Sequence, residues 1–330
     1  MKTDATMKLS RRSLMAGSAA AILAAPDSQA DDYPARVIRI VVPFAAGGGS
    51  DIVARLIADG LTRRLHGPVI VENKPGAGAV IGADFVAKAP PDGYTLLFAT
   101  PGPQILNPYL MPSLPYSPKD FAGVATLLNS VNLMVVANAV PAKSVAELID
   151  YAKTNPGKLN FASSGVGTSS HLAGELFKAM AGVEITHVPY RGNALVIQEL
   201  LSGNVQISID AISALSPQAK SGAVRALGVA APARSNILPE VPTIAETLPG
   251  YDASSINYIA ARTGTPAPII ARLNREINAI MAEPAVHDRI VELGLIPISE
   301  TPAALETRIV EEQGKWKKVI ETMATPGGAK

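Results

Sequence analysis

Eleven residues, Val41-Val42-Pro43-Phe44-Ala45-Ala46-Gly47-Gly48-Gly49-Ser50-Asp51, narrow the fold more than any other stretch of the chain. An apolar run from Val37 to Val42 reads as a strand. Three consecutive glycines follow, and then Ile52, Leu56, Leu61 and Leu65 recur at helical spacing, which predicts an amphipathic helix from Asp51 to about Leu65. Ser50 or Asp51 supplies the signal for its N-cap. The unit is strand, glycine loop, helix N-terminus. The first turn of a helix presents unpaired N–H groups and a partial positive charge. Glycine lets those groups approach a ligand closely, so the loop can serve as an anion socket or simply as a tight turn.

The same device recurs along the chain. Pro68 to Asn73 is a short apolar run, Lys74 to Ala79 a second glycine loop, and Ile81 to Ala89 a helical stretch. Tyr94 to Ala99 is a further strand. Val124–Leu128 and Leu133–Val136 are strand-like, split at Asn129–Asn132 by a polar break that suits a hinge. A helix is predicted from Lys143 to Thr154. Leu159–Ala162 is then a strand, Ser163-Ser164-Gly165-Val166-Gly167-Thr168-Ser169-Ser170-His171 a small, hydroxylated loop, and Leu172 onward a helix. Ile185–Tyr190, Val205–Ile209, Val224–Val229 and Ile256–Ala260 read as strands. A helix follows Asn193, and three more close the chain at Ala267–Met281, Pro284–Leu293 and Pro302–Ile320. Such alternation implies an α/β fold with parallel sheets covered on both faces.

The chain has 330 residues, 29 basic against 28 acidic, and no cysteine. Near-neutral charge offers no footprint for nucleic acid, and disulfides and thiol-ligated metals are excluded. Residues 1–30 read as an export signal with cleavage near Ala30. Lys2, Lys8, Arg11 and Arg12 precede the apolar run Leu14–Ala25, and Ser28-Gln29-Ala30 forms a small-residue cleavage site. Ser10-Arg11-Arg12-Ser13-Leu14 has the twin-arginine pattern. Without this segment 25 basic residues face 26 acidic ones, a net charge of −1. A periplasmic location is therefore expected.

Catalytic patterns are weak. The Ser163–Ser170 loop lacks a G-x-S-x-G elbow, and His171 is too near those serines on one helix to act as their base. His66, His187 and His287 show no metal-ligand spacing, so no metal or other cofactor is expected. Gly76, Gly78 and Gly82 are spaced one residue too long for a dinucleotide fingerprint. Asp51 reads as a helix cap. Asp210, at a strand end, suits either a ligand site or a cap, and Arg191 could steer an anion. What remains is a pair of small-residue loops at helix N-termini, about 115 residues apart. That arrangement favours binding over catalysis. An exported hydrolase using Ser164 or Ser169 is the enzymatic alternative.

These motifs together resemble the solute-binding proteins of tripartite tricarboxylate transporters, also called the Bug family. The carriers are Val42–Asp51, Val71-Glu72-Asn73-Lys74-Pro75-Gly76-Ala77-Gly78, Pro91–Leu97, Asn107-Pro108, Pro156–Gly165, Gly167–Leu172, Val188-Pro189-Tyr190-Arg191-Gly192 and Gly264-Thr265-Pro266. The resemblance spans nearly the whole chain after the export signal. It departs from the family pattern at Thr100-Pro101-Gly102-Pro103, at Ile256 and at Arg262. The resemblance implies a two-domain periplasmic-binding-protein fold of type II with the ligand cleft between lobes. Residues 31–130 and 253–330 would form one domain and 131–252 the other. It further implies a monomeric receptor that binds a small organic acid, a mono- or dicarboxylate, and delivers it to membrane permease subunits, without cofactor or catalysis. A receptor that signals to a membrane sensor is the alternative partner reading. The implied ligand-binding residues are Phe44, Ala46, Gly47, Gly48, Gly49 and Asp51 on the first loop. Facing them are Ser163, Ser164, Gly167, Thr168 and Ser169 on the second loop, together with Asp210.

Overall fold

The computed structural model describes residues 33–190 and 192–324. The segment read as an export signal and Arg191 lie outside the described residues. Among the described residues eleven strands form two sheets. The first contains β1 (Ile38–Val42), β2 (Val69–Asn73), β3 (Thr95–Ala99), β4 (Phe121–Ser130), β10 (Ser255–Arg262) and β11 (Leu295–Pro297), in the order β11-β4-β10-β3-β1-β2. The second contains β5 (Asn132–Ala137), β6 (Asn160–Ser163), β7 (Thr186–Pro189), β8 (Ile207–Ala211) and β9 (Val224–Val229), in the order β7-β6-β8-β5-β9. The chain leaves the first sheet at Ser130 and returns to it at Ser255.

The helices are α1 (Gly49–Leu65), α2 (Val80–Ala87), the short α3 (Asn107–Leu110), α4 (Val145–Thr154), α5 (Ser169–Ala181), α6 (Asn193–Leu201), α7 (Ile212–Lys220), α8 (Ala267–Met281), α9 (Pro284–Glu292) and α10 (Pro302–Ala324). None of the described helices is long and apolar enough to cross a membrane.

Both sheets are mixed, which corrects the expectation of parallel sheets. β1 is parallel to β2 and β3, and β6 is parallel to β7 and β8. β10, however, runs antiparallel to both β3 and β4, and β5 antiparallel to β8 and β9. β4, β5, β9 and β10 flank the two crossings, and β11 adds a further antiparallel edge to β4. β11 and α7 have no counterpart in the sequence reading. β11 is only three residues long, and α7 carries Pro217 and buries Ser216 beside Ile212 and Leu215, which breaks the apolar periodicity.

Period-two alternation sends each strand's side chains into different cores. Ile38, Ile40, Leu96, Phe98 and Ile259 pack against α1, α8 and α9. Val41, Leu97, Tyr258 and Ala260 face the other way and share a core with Met134, Phe161 and Phe177 of the second sheet and its helices. That second core is continuous between the sheets, with Leu305, Ile309 and Trp316 of α10 inside it. The Tyr251 hydroxyl donates to the Ala173 carbonyl at 2.8 Å, tying the return crossing to α5. The α1 face that enters the core is Val53, Ile57, Leu61 and Leu65, at four-residue steps. This turns Ile52 toward the space between the sheets.

Candidate functional site

A cavity of about 580 Å³ opens between the two sheets. Both chain crossings line it, through Ser130, Val131 and Ser255. On the first-sheet side it meets the loop between β1 and α1. Gly47 adopts φ +85°, a conformation glycine reaches without strain. The N-cap of α1 is Gly48 and no side chain caps it, so neither Ser50 nor Asp51 is the N-cap.

Asp51 instead sits in the first turn, buried, and braces the loop from beneath. Its Oδ2 accepts from the Gly47 N–H at 2.9 Å and from Arg55 Nε at 2.9 Å, and its Oδ1 accepts from Asn73 Nδ2 at 2.9 Å. The Arg55 hydrogen bond is the main reason its carboxyl is held down at about 2. The Asn73 amide also reaches the Phe44 carbonyl at 3.1 Å, which links the end of β2 to the same loop. Gly49 and Ser50 thus present the helix start to the cavity beside Phe44.

The second loop is organised by Ser170, which is fully buried. Its Oγ accepts from the Ser164 N–H at 3.0 Å and lies 2.8 Å from Ser164 Oγ and 2.9 Å from Thr168 Oγ1. Thr168 is the N-cap of α5, with its hydroxyl accepting from the His171 N–H. Ser164, Gly167, Thr168 and Ser169 reach the cavity, and Val166 projects beside them while 68% exposed.

Of the residues expected at the site, Phe44, Gly49, Ser164, Gly167, Thr168, Ser169 and Asp210 line this cavity. Ala46, Gly47, Gly48, Asp51 and Ser163 do not border it. Ser163 and Asp51 are buried behind their loops, and the other three belong to the glycine turn. The cavity also draws on residues the site reading did not include, among them Asn107, Asn193 and Asn257. Asn107 was legible only as a family motif. Asn193 opens α6 after Gly192, a loop-to-helix junction like the other two.

The second glycine loop contributes as well. Gly78 and Ala79 line the cavity, and Asn107 Nδ2 donates to the Gly78 carbonyl at 3.0 Å. Ala77 and Ala79 both hold positive φ, local strain of the kind stored at ligand-facing loops. Gly82 has a packing role instead: a Cβ there would meet Pro43 Cβ at 2.8 Å.

The histidines gave the largest surprise. His171 is buried within the fold, and its ring stacks on His187 with centroids 4.1 Å apart. Together with Glu175 they form a group that could hold a metal ion. Sequence spacing missed it because His187 arrives from β7. The protein's own groups engage all three. The Gly167 N–H donates to His171 Nδ1 at 3.3 Å, His187 Nε2 lies 2.7 Å from Ser163 Oγ, and both Glu175 oxygens accept from Lys178 at 2.9 Å. Burial, then the neighbouring His171, lowers the His187 pKa to about 4, and burial also lowers that of His171. The neutral rings serve as props for the loop between β6 and α5. Ser163 and His187 make a serine–histidine contact, but Ser163 is fully buried and turned from the cavity.

Asp210, at the C-terminal end of β8, is 3% exposed. Its Oδ1 accepts from the Ala211 N–H at 2.7 Å, while Oδ2 is buried with no hydrogen-bond partner. Burial raises its pKa, opposed by Ala211, Asn193, Ser164 and Ser170 around it.

Known proteins share this architecture. The family model of the tripartite tricarboxylate transporter family receptors, TctC, matches residues 53–325. Protein BugT of Bordetella pertussis is 38% identical over 305 residues, covering 92% of this chain and 93% of BugT. The structure of R. palustris Rpa4515 with adipate is 37% identical at a TM-score of 0.79, covering 88% of this chain and 98% of that one. MatC from Rhodopseudomonas palustris with bound malate is 34% identical at a TM-score of 0.75, covering 87% of this chain and 100% of MatC. Two α/β sheets enclosing a cleft, in the type II periplasmic-binding-protein arrangement, agree with those structures over most of their length. The chain therefore belongs to the TctC, or Bug, family of solute-binding receptors.

Proposed function

We propose that this protein is an exported receptor that closes on a small organic acid in the cleft between its sheets and presents it to a membrane permease. The observation that carries this reading is the convergence of two helix N-termini on one cavity. Gly49-Ser50 of α1 faces it from one side and Ser164, Thr168 and Ser169 of α5 from the other. Backbone N–H groups and hydroxyls at such ends bind a carboxylate through charge-assisted hydrogen bonds. The adipate and malate held by the two relatives are ligands of this class.

Residues 31–130 with 253–330, and residues 131–252, would move as the two lobes. The crossings at Ser130–Asn132 and before Ser255 would flex between them. Phe44 and Val166 support closure. They are exposed apolar side chains on opposite loops, and both border the cavity, so a closing cleft would take both out of water.

A hydrolase is not favoured. The serine with a histidine partner, Ser163, is sealed from the cavity, and Ser164 and Ser169 face the cavity without one among the described residues. Thermal-shift measurement with adipate, malate and other mono- and dicarboxylates tests the reading. At least one is expected to raise the melting temperature of the mature protein without being consumed. Failure of every carboxylate to do so, or turnover of an ester or amide, would refute it. Co-purification with the permease subunits in the presence of that ligand tests the partner.

A further inference from the structure

Asp210 is the single charged side chain among the described residues lining the cavity. Among the described residues no lysine, arginine or histidine lines it. Among the described residues, the groups nearest the carboxyl come from each element packed on it and are uncharged: Ala211 and Ile212 leading into α7, Asn193 at the start of α6, Ser164 after β6, Ser170 on α5, and Leu133 paired with it on β5. The next titratable groups on α5 look elsewhere, His171 against His187 and Glu175 toward Lys178. An ionised carboxylate here is costly, because one oxygen is buried without a partner and the Ala211 N–H, Asn193, Ser164 and Ser170 repay only part of its lost hydration. A second carboxylate brought into the same dry space by a ligand would add like-charge repulsion.

We propose that Asp210 carries a proton when the cleft is occupied: Oδ2 is closed off from the cavity in this structure, and a turn about the soft χ2 torsion brings its O–H into the cleft to donate a hydrogen bond to the ligand carboxylate, so that binding is coupled to proton uptake from solvent. No covalent bond changes: one proton moves from buffer to Oδ2, and an O–H···O⁻ contact forms of the kind that is short and strong. The proposal rests on the carboxylate reading above and makes Asp210 the residue that selects for an anionic ligand group. An ionised Asp210 would select the opposite, a hydroxyl or ammonium donor.

The experiment is calorimetric titration of the mature protein with adipate, and with malate, between about pH 6.5 and 8.5, where both ligands are fully ionised. Each pH is measured in two buffers of different ionisation enthalpy. Affinity is expected to fall with rising pH by up to about tenfold per pH unit, with a buffer-dependent heat that reports uptake of up to one proton. Asp210→Asn, a neutral isostere, is expected to flatten that slope and to bind more tightly than wild type at the alkaline end by about tenfold. The wild-type two-buffer measurement stands by itself if the variant fails to fold.

Binding with no pH slope and no proton uptake would overturn the proposal and leave the receptor reading intact. So would loss of binding at every pH in a folded Asp210→Asn protein, since that would mark an ionised acceptor. Absence of heat and of thermal shift with every carboxylate would instead refute the receptor reading.

Discussion

Replacing Asp51 by asparagine separates charge from shape at the base of the first loop. The variant keeps an oxygen able to accept from the Gly47 N–H but loses the ion pair with Arg55. A carboxyl held at about 2 rather than its usual 3.8 corresponds to ~2.4 kcal/mol of preference for the charged, folded form. That figure needs a discount. Asp51 has only 4% of its side chain exposed but lies under a thin cover, and Arg55 has 51% of its side chain in water, so screening leaves about 1–2 kcal/mol.

The sign follows from the depressed pKa. The contribution is fully present above the unfolded value of 3.8 and is lost as pH falls through about 2. Urea unfolding of wild type and Asp51→Asn at neutral pH is expected to differ by about 1–2 kcal/mol, or about 2–6 °C in melting temperature. The gap should narrow steadily below about pH 4. A gap that is negligible at neutral pH would refute the reasoning. A gap that stays constant into acid would show that geometry, and not charge, carries the bracing.

Ser170→Ala should leave the half-buried Ser164 N–H without its acceptor and cost about 1–2 kcal/mol, with carboxylate affinity falling in parallel. Unfolding and ligand titration of the variant would check both. Gly174→Ala places a Cβ 2.2 Å from the Phe161 ring, on whose other contacts His187 depends, and is expected to destabilise the fold by about 1–3 kcal/mol in the same assay. Proton NMR should find His187 titrating near 4. Because its folded pKa is depressed, its neutral form contributes stability that is complete above 6.5 and declines as pH falls toward 4. A midpoint near 6.5 would mean the stacked rings are open to water.

Much of the site was readable because its parts are local. A strand, a small-residue loop and a helix start lie within about fifteen residues of each other, and glycine, serine and threonine are required there by backbone geometry and capping. Hence Val41–Asp51 and Ser163–Ser169 could be found by spacing alone. The capping roles were less legible. Asp51 looked like an N-cap and proved to be a brace three residues inside the cap at Gly48: its partner Arg55 is one helical turn away, but Asn73 is brought to it from β2 by the fold.

The sequence by itself determined the alternation of strands and helices, the positions of the two loops and, through the family motifs, the cleft-forming class. Those features depend on periodicity and short-range sterics, which act within one or two turns of chain. Only the tertiary structure decided strand direction at the two crossings, the meeting of His187 with His171 and Ser163, and the stranding of Asp210 Oδ2 without a partner. Each joins groups from separate elements. Burial and dielectric surroundings, which set their protonation and cost, exist only once those elements have packed.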